Sequence, residues 1–157
     1  MEKKSSAKKR KELFIGQKAE FEKTISECDV YLFAGITGDM NPLHINAVMA
    51  ASSFAKERIV HGALLNGMIS TVIGMKLPGF GTIYMEQNSK YLMPVYIGDT
   101  VRAIVKVEEI LNVKKNILKL ETVIVNQKKE LVLKGYAIVK APMENIDYEG
   151  GRDEKDK

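Results

Sequence analysis

Hydrophobic residues follow two different periods along this chain. Early segments repeat at helical spacing, and later ones are strand-like. Residues 20–25 (Glu20-Phe21-Glu22-Lys23-Thr24-Ile25) read as a short, partly exposed strand. Ser26 is placed to cap a helix over 27–37, with Val30, Phe33, Ala34 and Thr37 at helical spacing and Gly38 at its C-cap. The stretch Asp39 to His44 cannot continue that helix, because Pro42 lacks an amide donor and pushes Asn41 toward extended backbone. A short alanine-rich helix is expected after Asn46. Gly62 to Met75 is apolar nearly all round, which predicts a helix about 21 Å long buried on most sides. Pro78-Gly79 ends it. Segments near 81–93, 100–111, 116–126 and 130–141 are then rich in Val, Ile, Leu, Thr and Tyr, with turn residues between them. The last three read as an antiparallel meander. Helices gathered early and strands late predict an α+β fold: one antiparallel sheet wrapped around the apolar helix.

Composition narrows the picture. With 157 residues, 45% apolar and 28% charged, the chain fits one globular domain that needs no disulfide or metal staple. The charge of +4 is uneven. Residues 1–12 hold six basic against two acidic groups, giving 6 − 2 = +4, and residues 144–157 hold three against six, giving 3 − 6 = −3. The expected organisation is a basic disordered arm over 1–12, a domain over 13–142 and an acidic disordered tail over 143–157. No aromatic residue interleaves the basic arm and no groove-reading motif follows it, so nucleic-acid binding is not expected. The lone Cys28 excludes an intrachain disulfide and is expected to be a small core or partly buried side chain. It fits a reducing compartment. With only two histidines beside it, a structural zinc site is not expected. No apolar run approaches the roughly 18 residues of a membrane span, and the first residues lack a signal-peptide core. A cytoplasmic protein without membrane contact is the expectation.

Imidazole chemistry has two possible homes, His44 and His61. Asp39 lies five residues before His44 on a tight connection whose backbone Asn41-Pro42 restricts. A carboxylate and an imidazole brought together there can hold one water and exchange protons with it near neutral pH. The same residues also fit a plain loop, with an Asx turn at Asp39 and a histidine bonded to a neighbouring carbonyl.

The stretch Phe33-Ala34-Gly35-Ile36-Thr37-Gly38-Asp39-Met40-Asn41-Pro42-Leu43-His44 resembles the signature of the MaoC-like, or type 2, (R)-specific enoyl-CoA hydratases. That signature is an aromatic, a small apolar stretch, then Gly-Asp-x-Asn-Pro-aliphatic-His. Ile59-Val60-His61-Gly62, Leu77-Pro78-Gly79 and Pro94-Val95-Tyr96-Ile97-Gly98-Asp99 extend the resemblance over about residues 14–141. It implies the hot-dog fold, a homodimer or a dimer of dimers, and an acyl-CoA lying in a tunnel near the subunit interface. The implied reaction is reversible addition of water to a trans-2-enoyl thioester, giving the (R)-3-hydroxyacyl product. Asp39 and His44 are then the acid/base pair, in an order the sequence leaves open. Gly62 is expected to donate its backbone amide to the thioester oxygen, since a helix start has unpaired amides and glycine allows close approach. Asn41 is expected to orient the loop or to serve as a turn residue. Ser70, two turns along the same helix, lines the site by resemblance or bonds the Asn66 carbonyl. His61 is expected to bond loop backbone. Leu64, Leu65 and Met68 are candidates for closing the tunnel, and Lys56, Arg58, Lys76 and Lys90 for meeting CoA phosphates. No cofactor or metal is expected, since the CoA thioester is the substrate; acyl carrier protein is the other possible carrier. A hot-dog thioesterase and a non-catalytic acyl-CoA-binding module are the competing readings.

Overall fold

The computed structural model describes residues 13–142; the expected arm and tail lie outside them. The elements are β1 (Lys18–Thr24), α1 (Glu27–Thr37), α2 (Pro42–Ile45), α3 (Ala47–Ser52), α4 (Gly62–Met75), β2 (Ile83–Tyr91), β3 (Thr100–Asn112), β4 (Ile117–Asn126) and β5 (Leu131–Lys140). The strands form one antiparallel sheet in the order β1-β3-β4-β5-β2. The fold is α+β, a curved sheet around α4, as the pattern predicts. The last three strands form the expected meander. The first of the four, β2, instead closes the far edge beside β5.

α1 starts where Ser26 dictates. The Ser26 hydroxyl accepts from the Asp29 amide at 3.2 Å, and the Asp29 carboxylate accepts from the Ser26 amide at 2.8 Å. This capping box satisfies two orphan donors. Partial burial opposes ionisation of Asp29, but the Ser26 bonds and Lys23 outweigh it and hold its carboxyl below the usual value. Gly38 ends the helix with φ 79°, a left-handed conformation that glycine adopts without strain. Cys28 on α1 is exposed rather than tucked into the core.

α4 is less enclosed than its sequence predicts. Leu65, Met68, Ile69, Val72 and Ile73 are buried against Val101, Ala103 and Val105 of β3 and Leu118, Leu120 and Ile124 of β4. Fully burying each large aliphatic stabilises the fold by about 1.5–3 kcal/mol. The opposite face, with Ala63, Gly67 and Ser70, is exposed. Its residues are too small to register as polar in a hydropathy reading. β4 shows the reverse effect: Leu118, Leu120, Thr122 and Ile124 are buried on alternate positions although its sequence alternates only in part. Among the described residues, no helix is long and apolar enough to cross a membrane.

Candidate active site

The site grows from the loop between α1 and α3. Once Gly38 turns the chain, the Asp39 amide donates to the Thr37 hydroxyl at 3.2 Å. The Asp39 carboxylate accepts from the Asn41 amide through Oδ1 at 3.2 Å, an Asx turn. The Asn41 side chain in turn accepts from the Leu43 amide at 3.0 Å and caps α2. Pro42 occupies the first turn, where its missing amide costs nothing. Asn41 is thus both the turn residue and the piece that orients the loop. The same hydrogen bonds place His44 one turn into α2.

His44 is buried and bonds the Ile59 carbonyl through Nδ1 at 2.7 Å. A carbonyl only accepts, so Nδ1 carries the proton and Nε2 is the basic nitrogen. His61 donates from Nε2 to the Asp39 carbonyl at 3.0 Å, as expected of a residue bonding loop backbone. Its ring is buried, lies 3.8 Å from the His44 ring at a 30° tilt, and meets Phe33 of α1 at 5.0 Å. His61 Nδ1 is buried without a hydrogen-bond partner among the described residues.

Both plain-loop features, the Asx turn and the bonded histidine, are therefore present. They leave the second Asp39 carboxylate oxygen and His44 Nε2 without a protein partner among the described residues. Asp39, His44 and His61 each offer one ligand-capable atom within 4.8 Å of the others. They are also the set that would hold a metal ion, although each imidazole has already committed one nitrogen to a backbone carbonyl.

Gly62 opens α4 beside this pair, and its N-cap residue His61 makes no side-chain cap bond. The Leu64 amide donates to the His61 carbonyl at 3.1 Å, and the Gly62 and Ala63 amides are left without a partner among the described residues, at the positive end of the helix dipole. A Cβ on Gly62 would stand 2.9 Å from the Tyr91 ring, so any larger residue would have to push that ring aside. His44, Gly62, Leu65, Phe54 and Tyr91 line one cavity of about 350 Å³.

Other candidates fall elsewhere. Ser70 is exposed and is not among the residues lining that cavity. Eight residues carry it about 80° beyond two full turns from Gly62, so the two do not share one face. No bond to the Asn66 carbonyl is made either. Met68 is in the core and Leu64 packs against it, so of the three tunnel candidates only Leu65 lines the cavity. Lys56 and Arg58 line a second cavity of about 330 Å³. The Arg58 guanidinium pairs with Glu27, which raises its pKa. Lys76 donates to the Glu20 carbonyl at 2.6 Å, and Lys90 lies opposite Lys134 in the sheet.

The sequence profile of the MaoC-like domain matches residues 10–129, most of the chain. The chain belongs to the MaoC-like domain family. Among its relatives, an (R)-specific enoyl-CoA hydratase of Rhodospirillum rubrum is 46% identical over 127 residues, covering 81% of this chain and 87% of the relative. A 3-hydroxybutyryl-CoA dehydratase of Methylorubrum extorquens is 40% identical, covering 83% and 82%. A solved (R)-hydratase from Aeromonas caviae superposes with a TM-score of 0.79 at 40% identity, over 83% of this chain and 98% of that one. In this MaoC-like chain, sequence reasoning missed Tyr91, Asn66 and Ser89. The Asn66 amide donates to the Tyr91 hydroxyl at 2.8 Å and accepts from the Ser89 hydroxyl at 2.8 Å. A polar amide inside an otherwise apolar helix was the signal for it.

Proposed function

We propose that the protein is an (R)-specific enoyl-CoA hydratase, a hydro-lyase that adds water reversibly to trans-2-enoyl-CoA and equally runs the dehydration. The observation that carries this reading is that His44 and the Gly62 helix start line one cavity, while Asp39, His44 and His61 each bring a ligand-capable atom within 4.8 Å of the others. The hydratase and dehydratase relatives support it. One water bridges Asp39 and His44. Its oxygen attacks C3 of the enoyl group while one of the pair takes its proton. The electrons move through the C2–C3 double bond to the thioester oxygen, and the Gly62 amide stabilises that charge. The pair then returns that same proton to C2 on the same face, so the water's hydroxyl and its proton both end up on the product. Their protons move on one shared water, so the pair is treated as a unit with no separate base and acid.

In this reading no cofactor takes part, because the thioester is itself the substrate. Acyl-CoA is the carrier inferred from the relatives' names, with acyl carrier protein as the alternative. The working form is a homodimer in the cytoplasm. Ser70 meets substrate only where a second chain covers the open face of α4.

Purified protein is expected to abolish the enoyl absorbance of crotonyl-CoA, and Asp39→Asn or His44→Ala to cut the rate by at least about 10²-fold. Full activity in either variant would overturn these roles. Release of free CoA thiol without hydration would make the protein a thioesterase, and binding without turnover would make it an acyl-CoA-binding module.

A further inference from the structure

Behind Gly62, the seam between α4 and β2 is polar where an acyl channel would need to be apolar. Asn66 follows Gly62 by about one helical turn and so lies on its side of α4. It bridges two residues of β2: its amide donates to Tyr91, and its carbonyl oxygen accepts from Ser89, both at 2.8 Å. Ser89 also accepts from the Gln87 amide at 2.8 Å. Gln87 continues the chain to the Tyr84 hydroxyl and, at 3.4 Å, to the buried Thr122. Tyr84 sits in surroundings apolar enough that burial pushes its pKa up to about 12. At the near end, the Tyr91 ring rests against Gly62 so closely that a Cβ there would have to displace it.

We infer that Tyr91 and Asn66 close the acyl channel one turn beyond the thioester and restrict the enzyme to short-chain, four-carbon enoyl-CoA substrates. The inference rests on the hydratase reading of the same site. A thioester bonded to the Gly62 amide brings its C2–C3 bond toward His44, which lines the same cavity, with Asp39 next to that imidazole. A longer chain running along α4 must displace the Tyr91 ring and separate Asn66 from Tyr91 and Ser89. It offers only methylenes in exchange, so the half-buried Asn66 amide and Ser89 hydroxyl each lose a partner, while the Tyr91 hydroxyl, on a ring 48% exposed, can turn to water. Sites built from paired polar groups discriminate far more sharply than apolar walls do.

The test is kcat/KM for crotonyl-CoA and trans-2-octenoyl-CoA in wild type, Asn66→Ala and Tyr91→Ala. Binding of butyryl-CoA and octanoyl-CoA, which cannot be hydrated, is measured by calorimetry alongside. Wild type is expected to favour crotonyl-CoA by at least about 100-fold, and each variant to raise the octenoyl-to-crotonyl ratio by at least about tenfold, in line with the discrimination a hydrogen-bonded site supports. Octanoyl-CoA should bind no more tightly than butyryl-CoA in wild type, and more tightly in the variants. Wild-type rates within about threefold on the two enoyl substrates, well below such discrimination, or tighter wild-type binding of octanoyl-CoA, would overturn the inference without a variant having to fold. A chain that shows the butyryl preference in binding but hydrates neither enoyl-CoA keeps the closed channel and loses the hydratase reading.

Discussion

Gly62 answers a steric demand and a chemical one, and a single substitution mixes the two. An alanine there puts its Cβ 2.9 Å from Tyr91 Cε1, closer than real Cβ contacts come. The ring sits on a side chain and can move, so Gly62→Ala should fold. Its kcat/KM on crotonyl-CoA is expected to fall by about tenfold or more, the scale of losing one oxyanion donor's alignment. Adding Tyr91→Ala removes the clash but not the methyl that holds the thioester off the amide. The double variant should therefore stay slow relative to Tyr91→Ala alone, and full recovery in that double-mutant cycle would make Gly62 a packing residue only. At this scale much was legible in the sequence. Asp39, Asn41 and His44 are joined by bonds spanning two or three residues, so local turn chemistry dictates their arrangement. The Asn66–Tyr91 contact spans 25 residues and two elements, and no local rule points to it.

The elements follow the same division. α1 was readable to its boundaries because its caps are local. The place of β2 beside β5 was not, since strand order depends on which edges meet in space. Gly135 shows how tightly that edge is joined. It pairs with Ser89, and a Cβ there would lie 1.9 Å from the Asn88 carbonyl oxygen, a backbone atom that cannot rotate away. Gly135→Ala should therefore pull β2 from β5 and cost about 2–3 kcal/mol, the range of overpacking against fixed neighbours. Thermal unfolding should show a lowered Tm. Because β2 carries Ser89 and Tyr91, the selectivity between four- and eight-carbon substrates should also relax. An unchanged Tm would mean that the strands separate there at no cost. α4 marks the limit of hydropathy. Alanine, glycine and serine look alike whether they pack in a core or face outward, so the sequence could not show that one side of this helix is open.

The two edges of the sheet differ, and the difference bears on how the whole molecule assembles. β1 carries Lys18, Glu20, Glu22 and Lys23, and Arg102 of β3 pairs with Glu20 at 3.6 Å and Glu22 at 2.8 Å. A charged edge of this kind resists pairing with another strand. The edge formed by β2 carries Glu86 and Lys90 further along, but its first residues have little such protection: Ile83 is 58% exposed and Met85 56%, next to Phe80 at 76%. Among the described residues β2 pairs with β5 alone, so its outer backbone groups have no neighbouring strand there. An unpaired edge whose N-terminal end is apolar is a surface that a second copy can cover by continuing the sheet. Such an isologous contact would also bring covering residues to the open face of α4, where Ser70 lies. The full chain, at 17.6 kDa, should therefore show about twice that mass by light scattering. Met85→Asp places a charge in the middle of the proposed seam, where desolvation without a partner is costly. It should shift the protein toward monomer while its far-ultraviolet circular dichroism stays that of the folded chain. A wild type that remains monomeric across the micromolar range would remove β2 as the interface. A Met85→Asp variant that stays dimeric would move the contact to another face.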